Sequence, residues 1–370
     1  MTATRKRTLR SAVIGTGKIS DEHLSFVASD PDVELAGVCD LSACSAQFAA
    51  ERFGAAAHFT SHAQMLERCK PDVVHVLTPP ATHDRLARDC LDAGAHVIVE
   101  KPIALDSEAF ESLWAEAEGY GLRIVENHNY RFNGPIQTVH DLMTRGELGD
   151  VTDVEVRLSL PIRNEGGRYA DENLPAGSHQ LPAGVIHEFV THLAYLTLLF
   201  TGGFDSTRAT WSNHGGGDLF KYDDLDALVL RGATHARIRF TCQTFPDAFT
   251  VTVRGTEGMA VADLFLPHVY LEKPRVGGDK LSPMVNRFVN GTSLMKTAWT
   301  GLRDKVMQRT AYEGLTRFLE GTYEAFRTGG APPVTHDDMR MTVRLVDALL
   351  VDAGRRDSDL RMAGQERAAQ

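Results

Sequence analysis

Residues 9–126 alternate between short apolar segments and helix-like segments, and this alternation restricts the fold more than any other feature of the chain. The apolar segments, which we predict to be strands, are Leu9–Ile14, Val33–Cys39, His58–Phe59, Asp72–Leu77, His96–Val99 and Arg123–Glu126. The helical patterns between them are Ser20–Ser29, Ser42–Phe53, Ala63–Cys69, His83–Ala93 and Ser107–Gly119. Near-continuous apolar strands separated by helices indicate a parallel sheet that is covered on both faces, with right-handed crossovers.

A different pattern follows residue 128. After a predicted helix at Ile136–Arg145, apolar residues alternate with a period of two, which is typical of antiparallel strands with one buried face. These strand segments are Val151–Leu160, Ala227–Arg231, His235–Gln243, Phe249–Gly255 and Gly258–Leu264. Helical patterns return at Val185–Phe200, Tyr312–Thr328 and His336–Gly354. We therefore expect an α/β chain with a boundary near residues 127–133. A doubly wound parallel-sheet domain would span residues 1–128, and an α/β domain with a large, mostly antiparallel open sheet would span residues 129–370.

The composition excludes several classes of protein. The chain has 370 residues, of which 43% are hydrophobic and 24% charged, and its net charge of −10 argues against a general affinity for nucleic acid. Its five cysteines are scattered and include no Cys-x-x-Cys pair, so we expect neither a disulfide framework nor a zinc site. The N-terminus lacks an apolar signal core, and the longest apolar run, Leu193–Phe200, is too short to span a bilayer. We expect a cytoplasmic protein with no membrane insertion.

The turn after the first strand has the spacing of a dinucleotide-binding fingerprint. Gly15 permits a tight turn, and Gly17 lets the backbone approach a pyrophosphate at a helix N-terminus, while Ser20 stands where the pattern has its third glycine. Asp40 ends the second strand and can accept hydrogen bonds from the ribose hydroxyls, which favours NAD over NADP. The alternative for Asp40 is a turn or N-cap residue before the helix that starts at Ser42.

Two later strands also end in polar residues. Thr78 and Pro79 follow one of them, and His83 begins the next helix; Glu100 and Lys101 follow the other. Ligands of open parallel sheets bind beyond the carboxyl ends of the strands. A lysine at such an end can lose solvent, have its pKa lowered, and act as an acid or base or hold a substrate hydroxyl. The alternative for the Glu-Lys pair is an exposed ion pair that closes a strand.

Taken together, these segments resemble the Gfo/Idh/MocA oxidoreductases, the family of glucose–fructose oxidoreductase and inositol dehydrogenase. The resemblance rests on Gly-Thr-Gly-Lys-Ile at 15–19, Thr-Pro-Pro-Ala-Thr-His at 78–83, Ala-Gly-Ala-His-Val-Ile-Val-Glu-Lys-Pro at 93–102, Asn-Tyr-Arg-Phe at 129–132 and Gly-Glu-Leu-Gly-Asp-Val at 146–151. It covers roughly the first 150 residues in the right order, which makes it far more specific than any single motif. The family implies a Rossmann domain followed by an α/β domain with a large open sheet, a nicotinamide cofactor, and often a sugar, polyol or nucleotide-sugar substrate.

The resemblance also implies roles for individual residues. Lys101 matches the catalytic lysine of the family, and Tyr130 is a candidate for substrate binding. The residues expected to bind the cofactor are Gly15, Gly17, Lys18, Ile19, Asp40, Thr78, Pro79, His83, Glu100, Lys101 and Asn129. Because the open sheet of the family usually packs against another subunit, we expect a homodimer or homotetramer by analogy.

The family's Asp-x-Gly-x-His helix has an altered counterpart here. Glu188 takes the place of the aspartate, Val190 that of the glycine and His192 that of the histidine. Residues four apart share a helical face, so Glu188 and His192 can address one pocket, with His192 as an acid or base near neutral pH. The alternative is a surface pair that contributes a few tenths of a kcal/mol. The Val190 side chain, where the family has none, is expected to intrude on the substrate, the nicotinamide or the backbone.

Further substrate-binding candidates flank this helix. His187 lies one position from Glu188 and is expected to line another side of the pocket. The histidines at 187 and 192 are five apart, unlike those of the His-Glu-x-x-His metal pattern, so we expect no metal. In the polar loop 161–182, Arg163, Arg168 and Tyr169 are candidates, because arginines bind carboxylates and diphosphates; solvated loop charges are the alternative.

The segment 280–305 mixes large apolar residues with basic ones. It is typical of a lid or a subunit contact, and a partner-facing or membrane-surface helix is the alternative.

The leading functional hypothesis is an NAD-dependent dehydrogenase that transfers a hydride between nicotinamide and a secondary alcohol or ketone of a sugar, polyol or nucleotide sugar. Lys101, helped by His192, would manage the hydroxyl proton, because the cofactor carries the redox chemistry. Two alternatives stay open. One is a redox-neutral lyase, glycosidase or epimerase that oxidises its substrate transiently with tightly bound NAD. The other is a non-catalytic nucleotide-binding protein.

Overall fold

The structure, a computed structural model, describes residues 8–164, 169–171, 177–215, 219–275, 278–306 and 313–368. The chain divides into two compact units. Unit 1 comprises Met1–Asn129 and Gly314–Val343, and unit 2 comprises Tyr130–Glu313 and Arg344–Gln370. Residues 314–343, which the sequence placed in the second domain, therefore lie in the unit of the N-terminal domain.

The helices and strands follow one another closely along the chain. The helices are α1 (Ser20–Ser29), α2 (Ala43–Phe53), α3 (His62–Cys69), α4 (His83–Asp92), α5 (Ser107–Gly119), α6 (Gly134–Thr144), α7 (Val185–Thr201), α8 (Gly278–Val306), α9 (Glu313–Thr328) and α10 (His336–Ala368). The strands are β1 (Leu9–Ile14), β2 (Val33–Cys39), β3 (His58–Phe59), β4 (Val73–Val76), β5 (His96–Val99), β6 (Ile124–Glu126), β7 (Val151–Ser159), β8 (Ser206–Ser212), β9 (Asp224–Arg231), β10 (Thr234–Thr241), β11 (Ala248–Gly255), β12 (Met259–Asp263) and β13 (His268–Glu272).

Unit 1 contains a six-stranded parallel sheet. Its strand order is β3-β2-β1-β4-β5-β6, and every neighbouring pair runs parallel. All four residues of β4 are buried, as expected for a strand covered on both faces. The chain direction across the sheet reverses between β1 and β4, and ligands of such sheets bind in the crevice at that switch point. The predicted doubly wound parallel sheet is confirmed.

Unit 2 contains a seven-stranded sheet in the order β13-β12-β11-β7-β10-β9-β8. β7 and β10 pair in parallel, and the other neighbours pair antiparallel, which confirms the predicted mostly antiparallel sheet. Val154, Val156 and Leu158 of β7 alternate with residues that are more exposed and belong to the hydrophobic core that α7 also enters. The core therefore fixes the orientation of α7, which carries several of the candidate site residues.

The sequence missed β8 and β13, which form the two edges of this sheet. In β8 only Trp211 is buried, and in β13 no residue is fully buried, so neither strand has the apolar alternation that reveals a half-buried strand. Helix α6 begins two residues earlier than predicted, with Pro135 in its first turn, where a missing N–H costs nothing. None of the described helices combines the length and apolar composition needed to cross a membrane.

Candidate active site

The glycine-rich turn lies between β1 and α1. Gly15 has a φ of +98°, and a Cβ atom there would lie 2.8 Å from the backbone oxygen of Leu77, so only glycine fits. A Cβ atom on Gly17 would meet no atom within 4 Å, so the space beside this residue is open. The buried hydroxyl of Ser20 donates to the backbone oxygen of Gly17 over 2.6 Å, and Ser20 thus braces the turn where the fingerprint has a glycine.

Asp40 ties the end of β2 to this turn. One carboxylate oxygen accepts hydrogen bonds from the backbone N–H and the hydroxyl of Thr16, at 2.9 and 2.8 Å, and the other accepts from the Ser42 N–H at 2.9 Å. Burial raises the pKa of Asp40, but these hydrogen bonds outweigh it and lower the pKa below its ordinary value. The N-cap of α2 is Ser42, whose side chain accepts from Ser45, so Asp40 does not have that role.

The turn and Asp40 fit a dinucleotide. The open space at Gly17 leaves room for a pyrophosphate beside the N-terminus of α1, and Asp40 offers an ionised carboxylate at the end of the neighbouring strand. Lys18, which follows Gly17 in the chain, is exposed, and Ile19 is half-buried.

The loops after β4 and β5 are joined by His83. Its Nδ1 lies 2.8 Å from the backbone oxygen of Pro102, and its Nε2 lies 2.6 Å from that of Thr78. Burial lowers the pKa of His83, although the two carbonyl oxygens favour its charged form. The Thr78 hydroxyl also lies 2.7 Å from the Thr82 hydroxyl. Pro79, between them in the chain, is exposed.

Glu100 is a buried carboxylate, unlike the exposed ion pair of the alternative interpretation. It accepts hydrogen bonds from the Asn127 amide and from the Lys101 N–H, the latter at 3.3 Å, and lies 3.4 Å from Nε2 of His23. Burial raises the pKa of Glu100, but the hydrogen bonds from His23 and Asn127 and the nearby Lys101 lower it overall. The Lys101 side chain is half-buried, and Asn129 is buried in the turn that follows β6.

A hydrogen-bonded chain, which sequence reasoning missed, leads from Glu100 into the interior of unit 1. His23 and His75 approach through their Nδ1 atoms at 2.8 Å, Nε2 of His75 lies 2.8 Å from the Tyr323 hydroxyl, and that hydroxyl lies 2.7 Å from Ser11 Oγ. An ionised Glu100 requires a hydrogen on Nε2 of His23. With a neutral His23, every donor in the chain then points towards Glu100: Ser11 to Tyr323, Tyr323 to His75, and His75 to His23. The sequence did contain one sign of this chain: His75 is a polar residue inside an apolar strand, and a buried polar side chain needs a hydrogen-bond partner.

This chain makes folding stability depend on pH. Complete burial and the neighbouring His23 hold the pKa of His75 well below its ordinary value of 6.5. The unfolded chain therefore binds a proton more readily than the folded protein, so the stabilisation is complete above about pH 6.5 and is lost as the pH falls below it. We expect His75 to contribute a slope of up to about 1.4 kcal/mol per pH unit to the free energy of unfolding.

Denaturant unfolding of the wild type and of His75→Gln, at pH values around and below about 6.5, measures how steeply the free energy of unfolding depends on pH. The variant is expected to be less stable at every pH but to have a shallower dependence, because the other titrating groups are common to both proteins. Equal slopes would show that His75 does not carry the effect.

In unit 2, helix α7 presents His192 beside two tyrosines. Nδ1 of His192 lies 2.9 Å from the Tyr195 hydroxyl, which accepts the backbone N–H of Tyr130 at 3.2 Å. The Tyr130 ring meets the imidazole edge-on, with 4.8 Å between centroids. Tyr195 was missed because it lies within an apolar run, although its i+3 spacing from His192 was the available signal. Glu188 is half-buried one turn before His192.

Val190 does not behave as the sequence predicted. Its side chain is 0% exposed and belongs to the hydrophobic core of unit 2. It therefore packs inward and does not intrude on a ligand, because the substituted position lies on the face of α7 that meets the sheet. His187 is also buried, and it lies on a different side of the helix from Glu188 and His192.

The loop candidates have separate positions in unit 2. Arg163 donates to the fully buried Asp223 over 2.7 Å and to the backbone oxygen of Gly215, so its guanidinium anchors the loop. The Tyr169 ring packs against Phe189 of α7 with a centroid distance of 6.0 Å, which places it near the candidate helix. Arg168 lies outside the described residues. Within the described ranges, no group of three or more potential metal ligands is present.

Comparison with known proteins places the N-terminal part of the chain in context. Residues 9–128 match the GFO_IDH_MocA family, described as an oxidoreductase family with an NAD-binding Rossmann fold. The chain is 31% identical over 179 residues to D-glucoside 3-dehydrogenase of Escherichia coli, covering 48% of this chain and 51% of that protein. It is also 31% identical over 168 residues to a dTDP-3,4-didehydro-2,6-dideoxy-alpha-D-glucose 3-reductase of Streptomyces violaceoruber, covering 44% and 49%. The matches thus span about half the length of these curated relatives.

A solved structure extends the likeness of fold to most of the chain. The WlbA dehydrogenase from Bordetella pertussis, in complex with NADH and UDP-GlcNAcA, superposes with a TM-score of 0.72 at 19% identity. The match covers 96% of this chain and 98% of that one. At 19% identity the superposition shows a likeness of fold alone. It confirms the predicted α/β fold class for the chain, with its two sheets.

Proposed function

We propose that the protein is an NAD-dependent dehydrogenase of sugars, polyols or nucleotide sugars, because residues 9–128 match the Gfo/Idh/MocA oxidoreductase family with its NAD-binding Rossmann fold. One observation carries the proposal: the carboxyl edge of the parallel sheet combines the open glycine turn, an ionised Asp40 and Lys101 beside a buried carboxylate. A purely structural edge would not need the open space at Gly17.

The substrate class comes from the relatives. The E. coli relative is named for oxidation at position 3 of a D-glucoside, and the Streptomyces relative for reduction at position 3 of a nucleotide-linked sugar. We therefore propose a secondary alcohol or ketone of a pyranose ring as the reacting group, with position 3 as the first position to examine.

The proposed roles follow from the chemistry of each side chain. NAD, when bound, supplies the hydride acceptor or donor. Lys101 takes the proton from the substrate hydroxyl, or returns it to a ketone, and the Glu100 carboxylate holds its backbone N–H. His192 assists as an acid or base, because the Tyr195 hydroxyl can donate to Nδ1 and leave Nε2–H for a substrate oxygen. Glu188 binds a further substrate hydroxyl.

Other assignments complete the proposal. The Rossmann residues named in the sequence analysis bind the dinucleotide, with NAD preferred over NADP because Asp40 repels a 2′-phosphate. Unit 2 binds the substrate and forms the contacts of a homodimer or homotetramer, and the protein works in the cytoplasm. The redox-neutral alternative rested on two altered residues of α7, Glu188 and Val190, and the inward packing of Val190 leaves Glu188 to support it.

The test is a panel of glycosides, polyols and nucleotide sugars, each assayed for reduction of added NAD and NADP. We expect NADH formation with at least one pyranose and a clear preference for NAD. Asp40→Ser is expected to narrow that preference, because it removes the charge that disfavours the 2′-phosphate. If NAD binds and no compound reduces it, the non-catalytic alternative gains support.

A further inference from the structure

Helix α8 differs in charge from the rest of the protein. Residues 280–299 contain no acidic side chain and three basic ones, Lys280, Arg287 and Lys296, all of them exposed. The whole chain carries 49 acidic and 39 basic residues and a net charge of −10. The helix is therefore a cationic surface segment on an acidic protein.

The polar face of α8 points inward. Ser282, Asn286 and Asn290 follow one another at intervals of four, so they form one stripe, and all three are buried. The Asn290 amide donates to the backbone oxygen of Leu271 over 2.9 Å and accepts its N–H at 3.1 Å. Asn286 donates to the backbone oxygen of Lys273 over 2.9 Å. These side chains therefore satisfy the backbone of the edge strand β13 and of the residues after it.

The apolar face of α8 points outward. Met284, Phe288, Met295 and Trp299 are 69%, 73%, 74% and 75% exposed. Their spacings of four, seven and four residues place them on one stripe, which the 100° turn per residue puts opposite the buried asparagines. A helix that buried its apolar face in the core would show the reverse arrangement, so the exposed stripe needs a partner outside unit 2.

We propose that α8 lies in the plane of an anionic lipid membrane and holds the protein at its surface. The rotation per residue places Lys280 and Arg287 on one flank of the apolar stripe and Lys296 on the other. These basic side chains meet the lipid headgroups, while Phe288 and Trp299 enter the boundary of the acyl chains. Such a helix binds by its apolar area together with the attraction between basic side chains and anionic lipids, and it does not cross the bilayer.

Charge favours a membrane over a second copy of the chain. In a two-fold contact between two copies of residues 280–299 the same surface appears on both sides, so six cations would line one interface without an acidic side chain from either segment. An anionic lipid surface instead offers both negative headgroups and an apolar layer. This inference goes beyond the proposed dehydrogenase activity and does not depend on it.

Flotation of the full chain with vesicles tests the proposal. We expect binding to vesicles of phosphatidylcholine mixed with phosphatidylglycerol, weaker binding at high salt, and little binding to phosphatidylcholine alone. The double variant Phe288→Ser and Trp299→Ser is expected to lower the partition coefficient by about 100-fold or more. The matched control is Phe48→Ser, which removes an exposed helical aromatic from unit 1 and is expected to bind like the wild type.

The cations and Trp299 give independent readouts. Arg287→Gln with Lys296→Gln is expected to weaken binding to anionic vesicles, whereas Arg145→Gln, at the exposed C-cap of α6, is not. Vesicles are also expected to shift the fluorescence of Trp299 to the blue, and the shift should vanish in Trp299→Phe. Of the other two tryptophans, Trp211 is buried, and Trp114 is half-buried in unit 1, where it stacks on His336.

Two results overturn the proposal. One is equal or absent binding of the wild type to both kinds of vesicle. The other is a lipid-free oligomer that the Phe288→Ser and Trp299→Ser variant dissociates, which would assign the apolar stripe to a second copy. NAD affinity, measured on the same preparations, shows that each variant is folded and reports on the proposed function separately.

Discussion

Replacement of Lys101 by methionine is expected to lower kcat by about 100- to 10,000-fold, the range for loss of a positioned acid or base. Methionine keeps most of the length and apolar character of lysine but cannot accept or donate a proton. The Lys101 side chain is half-buried beside the buried Glu100. The Glu100 carboxylate accepts the Lys101 backbone N–H and the Asn127 side-chain amide, and both bonds remain in the variant, so the fold should persist. The measurement is steady-state turnover with the best sugar of the panel, together with NAD affinity by calorimetry.

The NAD dissociation constant of Lys101→Met should stay near the wild-type value, which separates the chemical step from cofactor binding. The control is Lys70→Met, an exposed lysine at the end of α3, for which both quantities should be unchanged. Wild-type turnover in Lys101→Met would refute the role assigned to this residue. Loss of NAD binding with unchanged turnover at saturating cofactor would make Lys101 a binding residue only.

Replacement of Gly17 by valine is expected to weaken NAD binding by about 100- to 10,000-fold with little change in the free energy of unfolding. The side chain would project into the open space where no protein atom lies within 4 Å, so folding is unaffected while a pyrophosphate is kept from the backbone. The magnitude corresponds to about two lost hydrogen bonds to a charged group, each worth about 1.5–3 kcal/mol.

Two other glycines are the controls for this result. Gly119→Val also places its side chain in open space, at the end of α5, and is expected to leave NAD affinity unchanged. Gly15→Val is expected to destabilise the fold itself, because its positive φ and the nearby Leu77 oxygen leave no room for a Cβ atom. If Gly17→Val binds NAD like the wild type, the pyrophosphate does not lie over this turn.

Local features of the sequence predicted much of this protein. Several element bounds agree to the residue, including β1 and α5, because apolar periodicity, caps and glycine stops act over a few neighbouring residues. The polar residues at the carboxyl edge were predicted for a related reason: the ends of parallel strands meet at one edge whatever the packing around them. The edge strands β8 and β13 escaped because they bury too little to show an apolar pattern.

Contacts between residues far apart in the chain could not be predicted in this way. Tyr323 joins His75 across 248 positions, and Arg163 joins Asp223 across 60, and neither pair has a local signature. The inward packing of Val190 could not be predicted, because a helical position has a known angle to its neighbours but no known partner until the sheet is placed beneath it.

The sequence by itself determined the order of strands and helices, the parallel sheet and the residues at its carboxyl edge, since all of these follow from periodicity and chain direction. Only the tertiary structure decided which polar groups are buried together and which faces of the helices remain exposed. Burial depends on the packing of distant segments, and it alone turns Glu100 into the end of a hydrogen-bonded chain, Val190 into a core residue and α8 into a helix with its apolar side outward.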